Sequence, residues 1–346
     1  MATQLENEKT YTINAESFQE SLFPHYRKLL KVFRKIAKGY VLFHLLYALL
    51  FLVEIISIVF LLAARTEGTF LALSLGALFL TTSSYSLFHF YFQSKRPKQF
   101  HALKEEFLTS ARQALGVPKG ELEHHLSISH AALSVASYLE DFEKHLYRAP
   151  DRMKNLKPYL DKWSIFCHFK DVYLFKKLFL EAAIEEHLEQ IRITPSDFEV
   201  HTSLANVYSA LSKISQDPAK LKDHPFLKLK FRELIQETET EAKEHLLLAV
   251  EEFKILEYYA PNDPWVHLQL AKSYQELSLP QEEIKEYETL LSLRPLDKDA
   301  LFRLGVLYFE QGKTAKGLEI YEDLKSANFK KAEELLAHYG AIKAKV

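Results

Sequence analysis

Residues 40–64 read YVLFHLLYALLFLVEIISIVFLLAA, 25 residues with no Lys, Arg, Asp, Gly or Pro. Nothing else in the chain restricts its fold as much. About 20 apolar residues cross a bilayer, so this run is long enough to span with some tilt. Its one acid, Glu54, costs about 3 kcal/mol on an insertion scale, while the Leu, Ile, Val and Phe around it return roughly 5 to 10. A second apolar run, 70–92, follows after the five residues Arg65, Thr66, Glu67, Gly68 and Thr69. It is weaker, because Thr81, Thr82, Ser83 and Ser84 interrupt it, yet its Leu and Phe still return roughly 3 to 7 kcal/mol. So short a connection makes the two runs an antiparallel helical hairpin spanning 40–92. A cleaved signal peptide is excluded by the length and late start of the first run.

The flanks orient the hairpin. Arg27, Lys28, Lys31, Arg34, Lys35 and Lys38 precede it and Lys95, Arg96, Lys98 and Lys104 follow, whereas only Arg65 lies between the spans. Basic residues stay on the cytoplasmic side, which places both termini in the cytoplasm and suggests a bacterial inner membrane. Segment 1–39 carries Phe18, Leu22, Tyr26, Leu29, Phe33 and Ile36 at helical spacing between basic faces. Two readings stay open there: an interfacial helix on anionic lipid, or simply the basic flank of a span. Within the spans the polar residues are His44, Glu54 and His89. With the turn near Thr66 and Glu67, His44 and His89 fall at matching depth. A shared metal or a haem held by both is one reading, but two helices cannot wrap a haem. Histidines bonded to each other or to headgroups is the other. Glu54 is placed to bond Thr81 or Thr82, or to meet another membrane protein.

From residue 98 onward the chain is charged and helix-periodic, with no alternating strand pattern. Pro97, the cluster Gly116, Val117, Pro118, Lys119 and Gly120, and the pair Ala149 and Pro150 punctuate a connecting region of 98–170, in which 122–147 reads as one long helix. Forty-four Lys and Arg against 46 Asp and Glu leave a net charge of -2, so no basic field marks nucleic acid as the partner. A single cysteine, Cys167, excludes a disulfide framework.

Three stretches then align without gaps: PSDFEVHTSLANVYSAL, PNDPWVHLQLAKSYQEL and PLDKDALFRLGVLYFEQ. Each starts with Pro and an Asp two residues later (Asp197, Asp263, Asp297). Each continues with Leu204, Leu270 or Leu304, then Ala205, Ala271 or Gly305, then Tyr208, Tyr274 or Tyr308. The step from Tyr274 to Tyr308 is 34 residues. Asp caps a helix, the small residue admits a neighbouring helix, and Tyr fills the seam. The second halves agree through Phe253, Tyr287 and Tyr321, and through Leu256, Leu290 and Leu324. This pattern resembles the tetratricopeptide repeat family, a helix-turn-helix unit of 34 residues. The resemblance implies an α-solenoid over 171–346. Its departures are His201, His267 and Leu301 at the signature tryptophan, and an insert at 212–243 that either lengthens two helices or forms a flap. Residues 330–345 read as the helix that caps the last apolar face.

The resemblance further implies a partner groove lined by Asn206, Trp265, Gln269, Lys272, Phe302, Arg303 and Phe309. Asn206 and Arg303 fit the carboxylate clamp of one branch of the family, but Thr202 and Asp299 stand where lysines are needed. A groove for another peptide or helix, or a plain solvated surface, remains. No catalytic constellation converges. Gly312, Lys313 and Thr314 lack the earlier glycine of a phosphate loop. Cys167 and His168 are adjacent and so about 100° apart on a helix. His124, His125 and His130 have the wrong spacing for one metal face. The sequence therefore describes an all-α protein with a two-helix transmembrane hairpin and a cytoplasmic helical domain with a tetratricopeptide-like solenoid. The expectation is a non-enzymatic membrane-anchored adaptor without cofactor or metal, recruiting a protein or peptide. The alternative is a membrane-shaping or homo-oligomeric structural protein working through the hairpin and its basic flank.

Overall fold

The structure, a computed structural model, describes residues 15–65, 68–118, 121–147, 155–223 and 225–343. Thr66, Glu67, Lys119, Gly120, Ala149, Pro150 and Lys345, used above to place turns and ends, lie outside the described residues. The described residues form twelve α-helices and no strand. The chain divides into two compact units, 1–189 and 190–346. The division falls inside the helix α4 (Lys157–Ile193), later than the boundary near residue 171 that the repeat pattern suggests.

In the first unit, α1 (Ala15–Ala63) and α2 (Gly68–Leu115) have 49 and 48 residues. At 1.5 Å per residue each is about 70 Å long, more than twice the hydrocarbon thickness of a bilayer. Pro97 does not end a helix, as the sequence suggests, but sits within α2. It withholds one amide from the carbonyl of Gln93, a loss the packed helix tolerates. Nor does 122–147 form one helix: α3 ends at Tyr138, and Asp141 adopts a left-handed φ of 53° before a short 3₁₀ turn, Phe142–His145.

The N-terminal half of α1 buries Phe18, Leu22, Tyr26, Leu29, Phe33, Ala37 and Val41, a stripe at steps of three and four. Phe33 is fully buried, stacked on Phe175 of α4 at 4.5 Å and packed near Phe100 and Phe142. The apolar face that one of the two readings turned to lipid is therefore covered by the protein itself. The beginnings of α1, the end of α2, α3 and α4 thus share one core. Ion pairs reinforce its rim: Arg96 to Asp171 at 2.5 Å, and Arg112 with His125 on Glu186, each at 2.7 Å.

The second unit is a stack of helix pairs: α5 (Phe198–Gln216) with α7 (Arg232–Tyr259), α8 (Pro264–Glu276) with α9 (Pro280–Leu293), and α10 (Lys298–Glu310) with α11 (Thr314–Ser326). Asp197, Asp263 and Asp297 cap their helices, accepting backbone N–H groups at 2.9–3.3 Å. Leu204, Leu270, Leu304, Leu256, Leu290 and Leu324 are all buried in the seams. The turns close through left-handed residues, Ser278, Gly312 and Asn328. A terminal helix, α12 (Ala332–Lys343), covers α10. A Cβ on Gly305 would lie 2.8 Å from Leu335 of that cap, which is why the small position matters there. The insert extends the first pair to 19 and 28 residues, against 13 and 14 in the second. Between them lie the 3₁₀ segment Asp217–Asp223 and the short α6 (Pro225–Lys230).

Candidate functional site

Along the hairpin, α1 and α2 meet through a polar and aromatic seam. Thr81 donates to Glu54 Oε1 at 2.6 Å, one of the two partners the sequence offers. Tyr47 donates to Ser84 at 3.3 Å. His44 and His89 do come together, ring centroids 5.5 Å apart. They bond tyrosines rather than each other: His44 Nδ1 with the Tyr85 hydroxyl and His89 Nδ1 with that of Tyr40, each at 3.2 Å. Outward, the helices show Leu, Ile, Val and Phe from Leu42 to Phe90. None of the most apolar stretch of α1, and 6% of that of α2, is buried. Both helices are long and apolar enough to cross a membrane.

In the second unit the structure sorts the seven groove candidates. Asn206 and Lys272 are exposed, and Gln269 is half-buried. Trp265 packs edge-on against Phe253 at 5.9 Å. Phe302 lies between Phe329 and His338. Phe309 is only 2% exposed and lies against Tyr339 and the backbone of Gly317, so it is core. Arg303 holds the buried Glu283 with two hydrogen bonds, Nε to Oε1 at 2.8 Å and Nη2 to Oε2 at 3.2 Å. Glu283 is buried, and the guanidinium makes that burial tolerable. The open residues of this surface are thus Asn206, Gln269 and Lys272, while Arg303 is engaged within the fold.

The spacing did not disclose a device at the two histidines that replace the family's tryptophan. His201 bonds Glu252 at 2.6 Å through Nδ1 and the Pro195 carbonyl at 2.9 Å through Nε2. His267 repeats the arrangement with Glu286 at 2.8 Å and the Pro261 carbonyl at 2.9 Å. Each ring faces an acceptor on both sides, an arrangement that only the doubly protonated imidazolium satisfies in full. Burial alone pulls their pKa values down; the carbonyl and carboxylate bonds outweigh it and raise both above the ordinary histidine range. The signal was a His six residues after the repeat's Pro. Glu257 joins His267 and Glu286 in a cluster whose ligand atoms lie within 4.8 Å of one another. A metal there would displace the Nδ1 proton that bonds Glu286, and the doubly bonded ring accounts for the geometry without one.

A cleft of about 620 Å³ opens in the first unit between α2 and α4, beside Tyr40. A second, of about 700 Å³, lies where the insert meets α8, next to Lys243 and Glu276. Neither was visible in the sequence, because each joins residues from helices distant in the chain.

Residues 299–328 match the family model of the tetratricopeptide repeat. A comparison with curated proteins gave no match. The matched stretch covers α10, α11 and the turn after them. It ties the chain to a module whose general role is protein interaction or scaffolding.

Proposed function

We propose that this protein is a membrane-anchored adaptor: α1 and α2 fix it in a bilayer, and the helical repeats recruit a protein or peptide. The observation that carries the reading is the bare apolar surface of the hairpin on a chain that also contains a repeat of the interaction class. Contiguous apolar surface of this extent is not left in water by a monomeric soluble protein. The seam of Tyr–His, Tyr–Ser and Thr–Glu bonds is what helices use to associate where apolar contact gives no net drive. The basic flanks favour both termini on the cytoplasmic side. The face around Asn206, Gln269 and Lys272 supplies polar contacts for a partner.

The test uses the full chain in detergent or nanodiscs, because α1 contributes Phe33 and Leu29 to the core and cannot be trimmed away. Affinity capture is compared with Asn206→Glu and Lys272→Glu, both exposed positions. The reading expects a partner held by the native chain and released by the two added carboxylates. Equal capture by both would move binding off this face. Failure to capture anything, with clustering of the protein in liposomes, would favour the hairpin as the working part.

A further inference from the structure

We infer that the cleft between α2 and α4 binds the headgroup of an anionic phospholipid, recognised through its phosphate. This rests on the membrane reading above. The cleft is built from one stripe of each helix: His89, Gln93, Arg96 and Phe100 on α2, and Lys170, Leu174, Lys177 and Glu181 on α4. Their steps of three and four residues put each set on a single helix face. The two helices run the same way here, because Arg96 pairs with Asp171, Phe100 meets Phe175, Phe107 meets Phe179 and Arg112 meets Glu186. Position along α4 therefore tracks distance from the apolar segment.

That ordering fixes the charge pattern. Of the lining residues, Tyr40 starts the first apolar run and His89 lies within one turn of the end of the second, so in a bilayer the cleft opens near the level of the headgroups. Arg96 and Lys170 come first, against Asp171. Lys177 follows two turns further along α4, and Glu181 lies one turn beyond it. The lining thus carries three cations, Arg96, Lys170 and Lys177, against the two carboxylates of Asp171 and Glu181, a net charge of +1. Arg96 is held in place: Asp171 binds it at 2.5 Å and its guanidinium lies 3.5 Å above the Tyr40 ring, which itself bonds His89. A fixed guanidinium and two lysines beside Leu174, Leu178 and Pro97 suit a ligand with an anionic head and an apolar shoulder. The carboxylate of Asp171 disfavours small free anions, and the lipid's anchoring in the bilayer compensates by holding its phosphate at high local concentration.

The experiment reconstitutes the full chain in nanodiscs of phosphatidylcholine alone or with one third phosphatidylglycerol, and counts co-purifying phosphatidylglycerol by native mass spectrometry. The native chain is expected to retain it selectively. Lys170→Glu with Lys177→Glu should reduce retention by roughly tenfold or more, and Lys170→Gln with Lys177→Gln by less. Circular dichroism confirms folding of each variant. Lys31→Glu with Lys35→Glu, exposed on α1 outside the cleft, should leave retention nearly unchanged. An equal loss with that pair would reduce the effect to a diffuse basic collar and overturn the site. Displacement by millimolar glycerol phosphate would assign the cleft to a soluble phosphate compound and overturn the lipid. Chain that stays in membranes after carbonate washing but shows no selectivity overturns this inference alone; chain released by the wash overturns the membrane reading with it.

Discussion

At the scale of single residues, the paired histidines are the most informative departure from the repeat pattern. A tryptophan would fill the seam by bulk; His201 and His267 instead tie the first helix of their repeat to the second helix and to the preceding turn. Both pKa values are raised, so the charged rings stabilise the fold fully below the unfolded value near 6.5, and that stabilisation is lost as pH rises through the higher folded value. Facing His267 are Glu286 and Glu257; facing His201 are Glu252 and Asp197. Hydrogen exchange of α8 and α9, corrected for intrinsic rates, should therefore lose protection as pH rises above the ordinary histidine value of about 6.5. The repeat formed by α10 and α11 has Leu301 at that position and should respond less. Equal loss in both repeats would rule the histidines out. His267→Ala should cost about 3 kcal/mol by stranding the buried Glu286, and should remove the pH dependence of its repeat. The sequence showed that tryptophan was missing but not what replaced its work, because Glu252 lies 51 residues from His201 and Glu286 lies 19 from His267.

At the scale of elements, periodic features were legible and long-range docking was not. Asp197, Asp263 and Asp297 announce helix starts because a cap bonds only two or three residues ahead, and the structure places a cap at each. Two of the groove positions lie within the fold for reasons of the same kind. Phe309 has the spacing of an open face but is covered by Tyr339 of the terminal helix, and Arg303 is drawn to a glutamate 20 residues earlier. The stripe from Phe18 to Ile36 reads as amphipathic, and its buried members pack on α2, α3 and α4, partners beyond the reach of local pattern. This stripe makes a sharp prediction. Phe33→Ala removes a fully buried ring from between Phe175 and Phe100 and should destabilise the first unit by about 3 to 5 kcal/mol, measured by thermal unfolding in detergent. Phe23→Ala, on an exposed ring of the same helix, should cost under about 0.5 kcal/mol. If the two variants melt alike, the N-terminal half of α1 is not part of the core.

At the scale of the whole molecule, one continuous helix carries both the apolar span and the core stripe, and this is true of α1 and of α2 alike. On the proposed reading, anchor and folded unit share their backbone, so a partner bound by the repeats would be confined near the membrane without a flexible linker between the hairpin and the first unit. Confinement raises effective concentration, which lets a polar surface with few anchors suffice for recruitment. The proposed reading predicts one orientation: the tip of the hairpin on one side of the membrane, everything else on the other. Thr69→Cys, exposed at the start of α2, and Glu310→Cys, exposed at the end of α10, report on the two sides in a Cys167→Ser background. A membrane-impermeant maleimide added to intact cells should label the first and reach the second only after permeabilisation. Labelling of Glu310→Cys alone in intact cells would invert the topology. Labelling of neither before permeabilisation would mean that the hairpin enters the membrane without crossing it. Basic residues crowd both outer ends of the spans, and Arg65 is the one cation placed between them, so the first outcome is the one this charge distribution requires.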